Sequence, residues 1–175
     1  GFVFAIKGAD EIVLSEKEPT MLGLQESNPA SAIVDDLAQE QGDYVVRKTV
    51  PYAFAGTPLA SWLVTHGVQT VVVAGCVTSG CVRASVLDAM QYGFRPVIVS
   101  ACAGDRAIGP PEANLFDMAQ KCGAVRDLDT LLPRLPNARP QDFSDGPLHD
   151  ANTPPFMCVC PCHRHPAALS ALPCH

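Results

Sequence analysis

The segment Val71-Val72-Val73-Ala74-Gly75-Cys76-Val77-Thr78-Ser79-Gly80-Cys81-Val82-Arg83 carries the residue most able to do chemistry, the thiol of Cys81. An apolar run leads into a turn bracketed by Gly75 and Gly80, and a helical pattern follows, so Cys81 falls at a helix start. Unpaired amides and the positive dipole end of a helix favour a thiolate over a thiol there. The same amides can receive the oxyanion of a tetrahedral intermediate, a contribution of roughly 3 kcal/mol per donor in acyl transfer. The amides of Val77 and Cys81 are the candidate donors. A free cysteine is also among the most frequently buried residue types, so position alone leaves a packing role open.

Two other uses of such a turn fail on residue identity. A phosphate-binding P-loop needs Gly, four residues, Gly, then Lys and Ser or Thr. Gly75 and Gly80 satisfy the glycines, but Cys81 and Val82 stand where the lysine and hydroxyl belong. A phosphatase-type loop needs a cysteine followed by five residues and an arginine. Counted from Cys76, that register places Val82 where the guanidinium should be, one residue before Arg83.

The elements that must position the turn alternate between short apolar runs and helical patterns. Phe2 to Ile6, Tyr44 to Arg47, Thr70 to Ala74, Arg95 to Ser100 and the region of Ala124-Val125 read as strands. Ala30 to Gln39, Pro58 to Thr65, Cys81 to Tyr92 and Pro111 to Gln120 read as helices, with Thr57-Pro58 supplying a cap and a first-turn proline. The strands are nearly all apolar rather than alternating, so both sheet faces should be covered. That pattern predicts an α/β fold, a three-layer α/β/α arrangement around a mostly parallel sheet. Ligands bind such sheets at the carboxyl ends of the strands, and Lys48, Cys81 and Cys102 all sit just beyond those ends.

At 175 residues the chain suits one ordinary domain. Nine of its sixteen prolines lie between Pro133 and Pro173, where apolar periodicity also stops. The folded unit is therefore expected to span 1–135, with 136–175 a disordered Pro/Cys-rich tail. The net charge of -6, with no Lys/Arg cluster, argues against nucleic acid as a partner. No apolar run reaches the roughly 20 residues of a membrane span, and no secretory leader is visible, so a cytoplasmic protein without membrane attachment is expected. In a reducing compartment the eight cysteines are poor evidence for disulfides.

Several motifs recur together: Gly75 to Arg83, Asp88-Ala89, Gly93-Phe94-Arg95-Pro96, Gly104-Asp105-Arg106 and Asn114-Leu115-Phe116-Asp117. In order and spacing they resemble the isochorismatase-like cysteine hydrolases, from about Asp43 to Leu132. Within that family the likeness is strongest to the branch acting on N-carbamoyl acids, with the branch acting on maleamate next. The resemblance implies an isochorismatase-like, Rossmann-like fold and a Cys-Lys-Asp triad without cofactor. In that triad Cys81 attacks a small amide or carbamoyl carbon, ammonia leaves, and water cleaves the thioester. By position it makes Lys48 the lysine, which would stabilise a thiolate. It also implies a cis peptide between Cys76 and Val77 ahead of the oxyanion amide. Thr78 would lie in the loop below the substrate, Arg106 would grip a substrate carboxylate, and Phe54 would pack near the site. Homo-oligomers are implied as well.

The family's aspartate follows a first strand that has no counterpart here. Asp10 follows an apolar run, but only one helix separates it from Lys48, so Phe2 to Ile6 matches the family's second strand. A chain opening on Gly1 is accordingly expected to be N-terminally truncated, as a fragment or as an inactive member acting through binding or assembly. His66, the one histidine before the tail, follows a helix beside Gly67 and reads as a C-terminal cap, and no catalytic metal is expected. Cys158, Cys160, Cys162, His163, His165, Cys174 and His175 could ligate zinc or copper. Their Cys-x-Cys-x-Cys spacing is not the two-residue knuckle of structural zinc sites, and a disordered extension is the expectation.

Overall fold

The computed structural model describes residues 2–7, 16–17, 19–23, 27–33, 35–37, 39–107, 109–137 and 157–161. Six strands form one sheet: β1 (Phe2–Lys7), β2 (Tyr44–Lys48), β3 (Thr70–Cys76), β4 (Arg95–Gly104), β5 (Ala124–Arg126) and β6 (Met157–Pro161), in the order β2-β1-β6-β3-β4-β5. Every adjacent pair is parallel, so all the carboxyl ends meet at one edge of the sheet. Helices bounded within the described residues are α1 (Leu59–Thr65), α2 (Arg83–Gln91), α3 (Gly109–Lys121) and the short α4 (Leu128–Leu131).

The apolar runs of β3 and β4 divide between two cores. Val71 and Val73 of β3 and Ile98 of β4 join Leu59 and Leu63 of α1, Val86 and Ala89 of α2, and Met118 of α3. Val72 and Ala74 of β3 and Val97 and Val99 of β4 point the other way, onto Leu131, Leu128 and Leu135. Alternate residues of a strand face opposite sides, so an unbroken apolar run requires cover on both. The expected three layers are present.

Helix starts and stops follow local chemistry. The Leu59 amide donates to the Thr57 hydroxyl at 3.3 Å, which orients the chain into α1. His66 ends it, with its amide on the Trp62 carbonyl and Gly67 following at φ 67°. The helix expected over Ala30 to Gln39 is instead two separate tight turns, Pro29–Ser31 and Asp35–Leu37. Ser31 and Ala32 donate to carbonyls three residues back, at Asn28 and Pro29. The β-branched Ile33-Val34 between the two turns adds to the cost of an α-helix.

Two strands exceed or escape their expected bounds. β4 continues to Gly104, which takes Cys102 inside a strand, buried in the second core, rather than beyond its end. Burial pushes the Cys102 thiol up, keeping it protonated. More consequential is β6, which falls within the stretch expected to be a tail. It pairs with β1 from Phe2↔Cys158 to Ala5↔Pro161 and with β3 from Val71↔Met157 to Val73↔Val159. A proline inside a run argues against a central strand because it cannot donate to the ladder. Pro161 is the last residue of β6, where that loss is smallest. Of the tail's proposed ligands, Cys162, His163, His165, Cys174 and His175 lie outside the described residues, as does Asp10.

Because β6 alone bridges β1 and β3, deleting 138–175 should leave two facing, unpaired strand edges. The expected result is a lower urea midpoint and increased binding of a hydrophobic dye. An unchanged midpoint would mean that the sheet closes without β6.

Candidate active site

The turn after β3 is built by a bend, a small residue and two anchors. Between the pairs Val73↔Ile98 and Gly75↔Ala103 the β3–β4 register shifts, and Gly75 takes φ 127°, a left-handed region that suits glycine. The peptide between Cys76 and Val77 is cis. Thr78–Val82 then forms one wide turn, with the Val82 amide reaching back to the Val77 carbonyl at 3.2 Å, and α2 begins at Arg83. The sequence pattern places that helix start at Cys81; the wider turn displaces the regular helix by two residues and leaves Cys81 within the turn itself. A Cβ on Gly80 would stand 3.0 Å from the Val77 side chain, so this glycine permits a close approach rather than an unusual φ. The Cys81 thiol is free and partly exposed.

The anchors come from the end of β4, because the pair Cys76↔Gly104 sets the two strand ends side by side. Thr78 is fully buried, and its hydroxyl donates to the Gly104 carbonyl at 3.0 Å. Asp105 accepts the Ser79 amide on Oδ2 at 2.8 Å and the Arg106 amide on Oδ1 at 2.7 Å. Burial pushes the Asp105 carboxyl up. Hydrogen bonds from the Ser79 side chain and backbone and from the Arg106 backbone, together with the Arg106 charge, outweigh that and hold it below the usual carboxylate range. Thr78 is thus a pillar of the turn. Arg106 is exposed at the same edge, one residue beyond Asp105.

Lys48 approaches from the far side. With β1 and β6 between β2 and β3, its strand end lies three spacings from that of β3, about 14 Å at the usual interstrand distance. The segment 49–57 crosses that gap. The Lys48 ammonium, 4% exposed, donates to the Pro51 carbonyl at 2.5 Å, and two residues later the Ala53 amide donates to the Ser85 hydroxyl at 3.1 Å. Ser85 lies one turn beyond Cys81, on the helix that follows the thiol. The lysine segment is therefore tied to the thiol's helix through Ser85. Phe54 is a core residue: it is 2% exposed and its ring packs against Tyr92 and Phe94, at the end of α2 away from Cys81.

Two residues that organise the site, Ser85 and Asp105, went unassigned in the sequence. Asp105 stood in a recognisable motif, Gly104-Asp105-Arg106, but a loop aspartate announces no partner. Ser85 resembles any small helical residue until Ala53 is brought against it. Among the described residues, no three His, Cys, Asp or Glu side chains converge on a metal-binding arrangement, and no helix is long and apolar enough to cross a membrane.

A parallel α/β sheet with a cysteine-bearing turn at its carboxyl edge and a buried lysine on the same edge defines a class of α/β fold with a thiol site. Residues 7–130 match the Isochorismatase domain, and the chain belongs to that family. That span excludes β6. The chain is 49% identical over 117 residues to maleamate amidohydrolase of Pseudomonas putida, covering 67% of this chain and 55% of that one. It is 36% identical over 119 residues to N-carbamoylsarcosine amidase of an Arthrobacter species, covering 65% and 45% respectively. It thus spans about half the length of the curated relatives it matches. An isochorismatase-like hydrolase from Alkaliphilus metalliredigens shares the fold with a TM-score of 0.69 at 23% identity, over 75% of this chain and 71% of that one.

Two outcomes follow from this geometry. Ser85→Ala strands the buried Ala53 amide and should cost about 1–3 kcal/mol, read as a lowered unfolding midpoint. Asp105, with its folded pKa depressed, contributes stability that is present above the unfolded carboxylate value and lost as pH falls through the folded one. The stability difference between wild type and Asp105→Asn should therefore shrink on acidification, as measured by urea unfolding at neutral and acid pH.

Proposed function

We propose that this chain carries the thiol site of a hydrolase that cleaves the carbon–nitrogen bond of a small amide or N-carbamoyl acid and releases ammonia. The observation that carries the reading is the partly exposed, free thiol of Cys81 in an anchored turn between a buried strand and a helix. Relatives named for maleamate and N-carbamoylsarcosine support the substrate class, a short amide bearing a carboxylate.

In this reading the Cys81 sulfur attacks the amide carbon and the amides of Val77 and Cys81 receive the oxyanion. The carbon–nitrogen bond breaks as the nitrogen takes a proton and leaves as ammonia, and water then attacks the thioester, restoring the thiol and freeing the acid. Lys48 favours the thiolate by its charge. Arg106, whose planar guanidinium matches a carboxylate, holds the acid end of the substrate. Asp105 is unsuited to carry the proton, because both of its oxygens accept backbone N–H groups and its basicity is reduced.

The identity of the proton carrier separates this reading from a second one. A family member lacking that carboxylate would be inactive and would act by binding or assembly. Ammonia release from maleamate or N-carbamoylsarcosine by the chain extended to the length of its relatives, lost by at least about 10³-fold in Cys81→Ala, is the expected result for the enzyme. Lys48→Met should lower kcat with folding intact. Activity retained in Cys81→Ala would sink the proposal, and an inactive full-length protein that still binds these acids would favour the second reading.

A further inference from the structure

We propose that Asp105 is a positioning residue that holds the Cys81 turn and the Arg106 arm in fixed relation, so that a substrate's carboxylate and its scissile carbonyl are presented together. This rests on the roles of Cys81 and Arg106 proposed above. One oxygen of the carboxylate takes the amide of Ser79, two residues before the thiol and within the same turn. The other takes the amide of Arg106. A rigid planar group bonded at both oxygens couples the two segments, and neither can shift without breaking a charge-assisted hydrogen bond.

The sheet does not need this contact. Pairing of β3 with β4 is complete at Cys76↔Gly104, before Asp105 begins, and Thr78 supplies a separate tie to Gly104. Loss of Asp105 should therefore leave the sheet pairing intact and fall on the site, beyond the stability it removes. The shape requirement is narrow as well. An asparagine keeps one acceptor oxygen but turns an NH₂ group toward one of the two N–H donors, and a glutamate keeps both acceptors one methylene further out.

The test compares wild type, Asp105→Asn and Asp105→Glu in the full-length chain, after wild-type ammonia release has been established. With a carboxylate-bearing amide, Asp105→Asn should lose about 10²-fold in kcat/KM, with both KM and kcat affected. With a primary amide of similar size lacking the carboxylate, the loss should be confined to kcat. Asp105→Glu should recover part of it, and the kinetic loss in Asp105→Asn should exceed what its lowered unfolding midpoint accounts for, because the two amides are affected differently. Slower alkylation of Cys81 by iodoacetamide in Asp105→Asn, read by mass spectrometry of that peptide, is expected without any substrate.

Kinetics of Asp105→Asn indistinguishable from wild type on both amides would overturn the proposal. So would a loss shared equally by the two amides that tracks a fall in thermal midpoint, the mark of a merely structural residue. If the wild type releases no ammonia, the functional reading fails on its own. Alkylation then still decides whether Asp105 sets the turn, and an unchanged rate overturns that role.

Discussion

The site depends on the anchoring of the turn after β3 onto the end of β4. Strand β3 is buried on both faces, so its course is set by two cores at once and its end has little freedom. Beyond Gly75 the chain leaves that confinement, and five hydrogen bonds take over. Thr78 holds Gly104, and Asp105 holds Ser79 and Arg106, while the Val77 carbonyl collects the amides of Gly80 and Val82. Each net hydrogen bond is worth only about 1 kcal/mol, or somewhat more where a carboxylate accepts. Their shared effect is geometric: they place a thiol and its neighbouring amides relative to one strand end.

The second half of the site reaches the first by a longer route. Lys48 ends the edge strand β2, whereas Cys81 follows β3, and β1 and β6 lie between them. A lysine side chain cannot cross three strand spacings by itself. The Lys48–Pro51 and Ala53–Ser85 contacts turn segment 49–57 back over α2 and give the lysine a buried, defined position. The sheet imposes a matching demand. With β6 in place the lysine half and the thiol half belong to one hydrogen-bonded surface, and their carboxyl ends share an edge.

Much of this could be read in advance where the physics is local. The apolar runs at 70–74 and 95–100 needed cover on both faces, and they obtained it, whereas the edge run 44–47 buries Val46 and leaves Arg47 exposed. Thr57 and Pro58 dated α1, and His66-Gly67 closed it. One failure was local: Ala30 to Gln39 carried a helical pattern, yet Pro29–Ser31 and Asp35–Leu37 stand as two short turns. Elsewhere neighbours in space decide. For Phe54, which the resemblance put near the site and which could equally be a core residue, Tyr92 and Phe94 supply the ring contacts. Met157–Pro161 has the short, proline-terminated composition of a loop, and only two open strand edges give it a reason to extend.

By itself the sequence determined the sheet's parallel character, the glycine-bracketed turn and the reactive residue types at strand ends, because burial and backbone sterics act on nearest neighbours along the chain. The tertiary structure alone decided how those ends combine. It chose Asp105 and Thr78 to anchor the turn, Ser85 to catch the lysine segment, and β6 to stand between β1 and β3. Each of these is a hydrogen bond between residues more than twenty positions apart, and no local pattern encodes which distant donor will meet which acceptor.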